Sequence, residues 1–563
     1  MTLQWCPRGD TLHTHTPVAE DLKGLRAGTG RGPCIAVWQY FLTVSGAASS
    51  DSDQVRTAEV LATLSLVTDL ARRFPLEHGL HSTLVAMRLC DRLGVDEATA
   101  RNTYYGCLLF YIGCTADAEV AAEFFDEGAL GRYLDPVLFG SRTQAVAGLV
   151  HALAGTGALS VQAARVARRL PQAAAAHRQH LRAICEVGPR LGARMGAGRD
   201  VATLFTAVTE RWDGRGEPGR LRGTQLPLPL RIMHVARDAT FQRWFGGQDH
   251  AVHVLAQRAG HAFDPAVVAV LTGGADSVLA GTDEGPAWDT VMAAEPHPHQ
   301  VLAGAEVDRA LAAVGDFADL VSPDLVGHSS GVARLAAEAG RHCGLAEGVV
   351  RDLRRAGAVH DVGRVAISAG VWRKPRPLSP DEWEQVRLHA YHGERALSRS
   401  PFLAKLLTIA FAHHERIDGS GYHRGSTAAA LPPPARLLAA ADVYQALTEP
   451  RPHREALSPT EAGQVLRAEA AAERLDVSSV TAVLAAAGQP GRRQARPSGL
   501  TDREIEVLVL VARGLQTKQV ARVLGISPRT ADHHLEHAYA KVGVSTRAAA
   551  AIYAMENGLL HRA

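Results

Sequence analysis

Apolar residues recur at intervals of three and four from about residue 40 to 271 and again from about 295 to 487, with Ala and Leu abundant and β-branched alternation scarce. That period marks amphipathic helices and predicts an all-α chain. Two stretches interrupt it, TGGADSVLAGTDEGPAWDT at 272–290 and QPGRRQARPSG at 489–499, both rich in Gly, Pro and polar residues. They read as linkers, spanning 272–294 and 488–499. Residues 1–39 are polar and glycine-rich without periodicity and read as a loose leader. Past Leu500 the helical stripes shorten. Ile505, Leu508 and Ala512 form one; Val520 and Leu524 form the next, between Thr517 and Gly525; Ala531, Leu535, Ala538 and Val542 form a third. Ser527 is a suitable N-cap and Pro528 a suitable first residue for that third helix.

The two long helical regions repeat one another. ERWDGRGEPGRLRGTQLPLPLRIMHVA from Glu210 is similar to ERIDGSGYHRGSTAAALPPPARLLAAA from Glu415, 205 positions on and ungapped through the first eight residues. HSTLVAMRLCDRLGV from His81 is similar to HSSGVARLAAEAGRHCGL from His328, in the same order along the chain. Two copies of one helical domain, at 40–271 and 295–487 and packed as a pseudo-dimer, account for both matches.

Composition narrows the functional classes. A chain of 563 residues suggests roughly three to five folding units. With 46% hydrophobic and 21% charged residues, collagen-like, disordered and disulfide-scaffold readings drop out. No run approaches the roughly 18 apolar residues of a membrane helix, and the first residues lack a basic region followed by an apolar stretch. The expected setting is the cytoplasm, with no membrane partner. Seven cysteines without a CxxC pair argue against a zinc ribbon or a thioredoxin-type site. Net charge is only +2, but from 491 to 563 eleven Lys and Arg face six Asp and Glu, a local +5 that first hints at nucleic acid.

Candidate chemistry gathers in the second copy. His328 begins a helix after SPDLVG; His360 and Asp361 adjoin in RRAGAVHDVGR; His389 lies in VRLHAYHGERAL; His413 and His414 adjoin in FAHHERIDGSGYHRG; Asp442 lies in LLAAADVYQALT. A single helical His is ordinarily a core or surface residue, but five His and two Asp in motif order are not explained one at a time. Imidazole and carboxylate suit divalent iron, manganese, nickel or zinc, and a carboxylate beside a histidine can bridge two ions. Two ions sharing a water can generate hydroxide near neutral pH and neutralise a phosphoryl group during in-line displacement.

On these residues the segment from about 320 to 460 resembles the HD-GYP branch of the HD-domain metal phosphohydrolases, most of which hydrolyse cyclic di-GMP at a two- or three-metal site. The resemblance implies two divalent ions, with His328, His360, Asp361 and Asp442 as the general HD ligands, Asp361 bridging the ions, and His389, His413 and His414 completing the ligands of the second ion. In some members a third ion uses an acid four residues before the first His, where this chain has Asp324. The family's HDxGK reads HDVGR, so Arg364 takes the place of the Lys that contacts phosphate, and a fork replaces a point charge. GYP reads Gly421, Tyr422, His423, and Gln445 stands where a second Asp follows Asp442. These departures leave the metal ligands in place and bear on cyclic di-GMP specificity. In the first copy, His81 aligns with the first ligand, but Phe110 and Tyr111 stand at HD, Ile184 at the third His, Val208 and Thr209 at HH, and Arg237 at the last Asp. That set builds no metal site, which makes the first copy a structural or ligand-sensing pseudo-domain.

The tail from Leu500 to Leu560, with LTDREIEVL, ARGL and KVGVSTR, resembles the LuxR-type four-helix DNA-binding domain. By that resemblance 527–542 is the recognition helix, and the last helix, from about 546, pairs two protomers on a two-fold site. Lys518, Arg529, Thr530 and Arg547 would touch DNA. A 100° wheel puts Arg529, Asp532, His533, Glu536 and His537 on the exposed face, the early residues nearest a major groove. Asp532, in the usual place of a Lys, would repel phosphate at a cost of about 1 kcal/mol.

The expected architecture is therefore two tandem HD-type helical domains and a C-terminal four-helix LuxR-type helix-turn-helix domain, with 500–563 as the last unit. The expected protein is a DNA-binding regulator, homodimeric on DNA, carrying a metal-dependent phosphohydrolase that acts on a cyclic dinucleotide or other nucleotide, with Asp361 and Arg364 at the reacting centre. The alternative is a transcription factor whose HD site binds such a ligand without turning it over.

Overall fold

The computed structural model of this chain describes residues 53–113, 124–125, 130–155, 158–281, 286–488 and 497–561. The leader at 1–39 and most of the second linker lie outside the described residues. The first copy begins with strand β1 (Gln54–Arg56), then α1 (Thr57–Arg72), α2 (His78–Leu93) and α3 (Glu97–Leu108). There follow α4 (Arg142–Ala154), the 36-residue α5 (Leu159–Arg194), α6 (Gly198–Leu204), α7 (Leu228–Gly246), α8 (Gln248–Arg258) and α9 (Pro265–Thr272). After α10 (Ala275–Val278), α11 (Trp288–Ala293) and β2 (Val301–Ala303), the second copy runs through α12 (Ala305–Asp319), α13 (His328–His342) and α14 (Glu347–Val359). It continues with α15 (Ala369–Trp372), α16 (Pro380–Leu397), α17 (Pro401–Ala404), α18 (Leu407–Ala410), α19 (Pro433–Leu447), α20 (Pro459–Ala471) and α21 (Val477–Ala487). Local chemistry sets many of these boundaries: Asp96 and Asp476 cap α3 and α21, while Ser379 and Ser458 open α16 and α20 with capping boxes to Glu382 and Glu461.

The repeat is visible in backbone detail, and it corrects one residue of the sequence reading. Asp69 accepts from the Gly79 amide at 3.1 Å just as Asp319 accepts from the Ser329 amide at 2.9 Å. The residues before α2 and α13, Glu77 and Gly327, are both left-handed. His78 therefore stands where His328 stands, 250 positions apart, and His81 lies one turn further along α2. Matching by side-chain identity in Ala-rich helices slipped the alignment by three residues. Downstream, a Cβ on Gly216 would lie 2.5 Å from Glu210 Cα, and one on Gly421 2.5 Å from Glu415 Cα, the same close turn 205 positions apart. Glu210 and Glu415 each gather backbone amides of the following loop, at 2.7 Å from Arg220 and 2.7 Å from Ser426.

β1 and β2 pair antiparallel, Val55 opposite Leu302, joining the start of one copy to the start of the other. α1 is buried along nearly its whole length from Thr57 to Asp69 because it packs both on its own copy and on α16 and the turn Val362–Ala366 of the second. Leu61, Leu64 and Leu66, at most 1% exposed, each contribute about 1.5–3 kcal/mol of burial to that seam. Polar links flank it: Arg355 to Asp53 at 2.5 Å, Arg399 to Glu77 at 2.5 Å and Ser400 to Glu59 at 2.6 Å. Residues 272–294, expected as a linker, are instead packed structure in their described part. α10 and α11 bury Val278, Leu279, Trp288 and Val291 against the first copy, and Gly and Pro there mark turns between short helices.

Four helices close the chain: α22 (Asp502–Ala512), α23 (Thr517–Leu524), α24 (Pro528–Val542) and α25 (Arg547–Glu556). Thr501 and Glu504 form a capping box on α22, Gly525 ends α23 in the left-handed region at φ 64°, and Ser527 caps α24. Val507, Val511, Val520, Ala521 and Ala531 make the core of this unit. No single helix among the described residues is long and apolar enough to cross a membrane.

Candidate metal centre and nucleic-acid interface

Five elements bring the seven predicted imidazole and carboxyl groups of the second copy to one buried point. His328 opens α13, after Gly327 at φ 86°, where a side chain would be strained and would also meet Leu560. His360 ends α14, and Asp361 follows at φ −104°, ψ 10°, where the chain turns into Val362–Ala366. That turn sits flush on α16: a Cβ on Gly363 would lie 2.0 Å from the His389 carbonyl oxygen, so only glycine lets the HD pair approach His389. His413 and His414 follow α18, and Asp442 lies in α19.

The side chains are arranged as ligands. His360, His389 and His413 each donate from Nδ1 to a carbonyl three residues back, at 2.7, 2.5 and 2.6 Å, which fixes the tautomer and turns a bare Nε2 inward. Oδ2 of Asp361 lies 2.9 Å from His360 Nε2 and 3.3 Å from His328 Nε2; its Oδ1 lies 3.3 Å from His389 Nε2 and 3.5 Å from His413 Nε2. Nε2 of His389 and Nε2 of His413 face each other at 3.3 Å. Yet His360 Nε2 and both Asp361 oxygens are buried without an aligned hydrogen bond. Imidazole nitrogens and carboxylate oxygens converging in this way are what a cation would satisfy. Two sets follow, each with its ligand atoms within 4.8 Å of one another: His328, His360, Asp361 and Asp442, and Asp361, His389, His413 and His414. Asp361 belongs to both. Asp324 joins neither; its carboxylate accepts from Ser322 at 3.4 Å.

Electrostatics agree with this geometry. Burial resists charge on His328 and His360, but the carboxylates of Glu449, Asp361 and Asp442 outweigh it, holding His328 well above its ordinary value and His360 at about 9. The same carboxylates that favour a proton there would favour a metal ion, which would displace that proton on binding. On the other side, burial pushes His413 down to about 4, and burial with the neighbouring His413 holds His414 well below its ordinary value, so both are neutral ligands at pH 7. Burial also opposes ionisation of Asp361, but Arg364, whose Nη2 lies 2.6 Å from Oδ2, and the adjacent histidines keep it anionic. Arg364 is itself backed by the Trp372 ring, 5.4 Å from its guanidinium carbon.

One functional residue was missed in the sequence. Glu449 accepts from His328 Nδ1 at 2.8 Å and from Arg451 at 2.9 Å, with His328 and Arg451 holding its carboxyl at about 2 against the effect of burial. It lies seven residues after Asp442, two past the end of α19, where no local pattern marks it. Glu449→Gln should weaken metal affinity roughly 10–100-fold, the usual consequence of losing the group that orients a histidine ligand, as measured by manganese titration; unchanged affinity would remove Glu449 from the site.

In the C-terminal unit Lys518, Arg529, Thr530, Asp532, His533, Glu536 and His537 are exposed, so the groove-facing side of α24 is uncovered. The Thr530 hydroxyl pairs with Ser527 at 2.8 Å. Arg547 is half-buried at the start of α25. Unlike its expected role between protomers, α25 is buried from Ala548 to Met555 within this chain, against α22 and α5. Glu186 of α5 accepts from the Ser545 and Thr546 amides, both at 3.1 Å, at the N-terminus of α25. Arg190, one turn on, donates to the Val542 carbonyl at 2.9 Å, at the C-terminus of α24. An acid on a helix N-terminus and a base on a helix C-terminus are both favoured by the helix dipoles. The unit also touches the approach to the metal centre: Arg513 donates to the Leu560 carbonyl at 2.7 Å, Leu560 abuts Gly327, and Gly514 abuts Pro323.

Comparison with known proteins agrees with this arrangement. The HD domain family matches residues 141–267 and 313–478, and the luxR family of bacterial regulatory proteins matches 498–554. The 3′3′-cGAMP-specific phosphodiesterase 3 of Vibrio cholerae is 26% identical over 409 residues, 71% of this chain and 88% of that protein. The cyclic di-GMP phosphodiesterase response regulator RpfG of Xanthomonas campestris is 43% identical over 129 residues, 23% of this chain and 33% of that protein. A crystal structure of the cyclic GMP-AMP-specific phosphodiesterase V-cGAP3 of V. cholerae shares the fold, with a TM-score of 0.53 and 21% identity over 78% of this chain and 99% of that one. The chain belongs to the HD-domain family and carries, at its C-terminal end, a domain of the luxR family of bacterial regulatory proteins.

Proposed function

We propose that the chain is a metal-dependent phosphodiesterase of 3′3′-cyclic dinucleotides joined to a DNA-binding unit, so that one polypeptide both consumes a nucleotide signal and acts on transcription. The observation that carries this reading is the convergence of His328, His360, Asp361, His389, His413, His414 and Asp442, with Asp361 facing both ligand sets. The relatives named as phosphodiesterases of 3′3′-cGAMP and cyclic di-GMP supply the substrate class. His328, His360, Asp361 and Asp442 would hold one divalent ion and Asp361, His389, His413 and His414 a second, of iron, manganese, nickel or zinc. When bound, such ions supply Lewis acidity and a nucleophile at neutral pH. The chain's own part is to fix the ligands by their backbone hydrogen bonds, to keep Asp361 anionic through Arg364, and to offer that guanidinium to a phosphate oxygen. Asp324, four residues before His328, would serve a third ion.

The test is incubation of the full chain, loaded with manganese or iron, with 3′3′-cGAMP, cyclic di-GMP and a nucleotide panel, metal content being measured on the same sample. A linear dinucleotide or mononucleotide product supports the reading. Saturable ligand binding with no product would establish the receptor alternative.

The DNA-binding unit would place α24 in a major groove, with Arg529 and His533 toward the bases and Lys518, Thr530 and Arg547 toward phosphates, in a homodimer on DNA. A DNA-bound regulator works where the chromosome is, which puts the proposed protein in the cytoplasm. Arg529→Ala should cost about 1–3 kcal/mol of DNA binding in a mobility-shift titration while leaving bound metal unchanged; equal affinity for wild type and variant would place DNA elsewhere.

A further inference from the structure

α24 carries side chains that neither its caps nor its core employ. Ser527 caps the helix at one end, Gly543 at φ 65° closes it at the other, and Ala531, Ala538 and Val542 seat one side of it in the unit. The opposite side is therefore presented at fixed spacing by a rigid element. On it His533 and His537 are both exposed, one helical turn apart, with ring centres 4.0 Å from each other. Among the described residues neither imidazole takes part in a hydrogen bond or an ion pair, so their nitrogens have no protein partner. Two imidazoles four residues apart on a helix can reach a single ion at the roughly 2.0–2.1 Å of a zinc–nitrogen bond. With Glu536 between them, the run His533-x-x-Glu536-His537 has the spacing of the H-x-x-E-H zinc helices. No third ligand group converges on the pair among the described residues, which leaves the other positions of such an ion to water.

The charge of this side gives an ion there something to do. Arg529, Asp532 and Glu536 are all exposed and, among the described residues, none is held in an ion pair. Leaving the imidazoles aside, one guanidinium stands against two carboxylates, so the side is acidic where a polyanion would approach it. DNA affinity is carried largely by neutralised phosphates, and uncompensated acids on the approaching face oppose it. A divalent cation on the imidazoles, beside both carboxylates, would reverse the sign of that face without moving the helix.

We propose that His533 and His537 form a two-imidazole site for a late first-row divalent cation, zinc in class, and that the bound ion turns the exposed side of α24 from repelling DNA to attracting it. Imidazole ligands suit zinc, copper and nickel, and hold manganese or magnesium far less well. The site itself stands on the helix alone; its effect on DNA rests on the reading, given above, that α24 enters a major groove. It is separate from the metal centre of the second copy, with which it shares no residue.

The full chain is dialysed to equilibrium against zinc chloride and its zinc content measured beside those of His537→Gln and of His534→Gln, which removes a histidine of the same helix outside the pair. Wild type and His534→Gln should each hold one equivalent of zinc more than His537→Gln, the metal centre of the second copy being common to all three. Diethyl pyrocarbonate footprinting read by mass spectrometry should show zinc protecting His533 and His537 in the wild type. Circular dichroism, unchanged in both variants, shows that folding is intact. In anisotropy titrations with a mixed-sequence duplex at fixed salt, zinc should tighten DNA binding at least tenfold for wild type and His534→Gln, and His537→Gln should not respond to it. Equal zinc content in wild type and His537→Gln, or no protection of the two histidines, overturns the site; zinc that binds there and leaves DNA affinity unchanged or weaker overturns its role. A chain that binds no DNA at any zinc level refutes the DNA-binding reading instead, while zinc content and footprint still decide the site.

Discussion

Replacing both His360 and Asp361 with alanine is expected to strip the chain of bound metal, measured by elemental analysis, and with it all cyclic dinucleotide hydrolysis. The effect should exceed the roughly 10–100-fold loss that follows removal of a supporting hydrogen bond, because Asp361 belongs to both ligand sets and its removal disables two sites at once. Removing that carboxylate also leaves Arg364 buried without its partner at 2.6 Å, which destabilises the turn. Asp361→Asn with His360→Gln keeps shape and hydrogen-bonding capacity and separates the two effects: it should lose metal while unfolding at close to the wild-type temperature. Metal content equal to wild type in both pairs of variants would end the hydrolase reading, whatever the relatives do.

The second large effect concerns the grip of α5 on the DNA-binding unit. Glu186→Ala with Arg190→Ala removes the acceptor from the Ser545 and Thr546 amides and the donor to the Val542 carbonyl. At about 0.5–1.5 kcal/mol for each hydrogen bond, the loss is on the order of 2–3 kcal/mol, enough to move the balance between held and released forms roughly 30–150-fold. Release would expose Ile552, Tyr553 and Met555, an apolar face that favours pairing of two chains. The double variant should therefore sediment as a dimer and bind duplex DNA more tightly in an anisotropy titration at fixed salt. A monomer with unchanged DNA affinity would show that this grip carries no control.

The cluster of imidazole and carboxyl groups was legible in the sequence because its members come in motif order on helices whose ends are marked by turns, and because a degenerate copy with the same composition stood beside it for contrast. Glu449 was not legible: past the end of α19, it gains meaning only when His328, 121 residues earlier, is folded against it. His81 was mistaken for His78 because the feature that identifies the position, a left-handed residue followed by an amide bound to Asp69 or Asp319, is backbone geometry and leaves no residue pattern. The 272–294 stretch looked like a linker because Gly, Pro and polar residues interrupt its helical period, while its fate was decided by Trp288 and Val291, two apolar residues that find a place in the first copy. The short stripes after Leu500 translated directly, since Ser527, Gly525 and Thr501 are local signals that act within a turn.

α1 lies between the copies and rests on the very turn that carries the HD pair. A fragment starting at residue 295 would bare Val362 and Val365 to water and leave Asp53, Glu59 and Glu77 no longer tethering Arg355, Ser400 and Arg399. The first copy is thereby a splint for the second, and cutting the chain between them would loosen the turn that carries the HD pair.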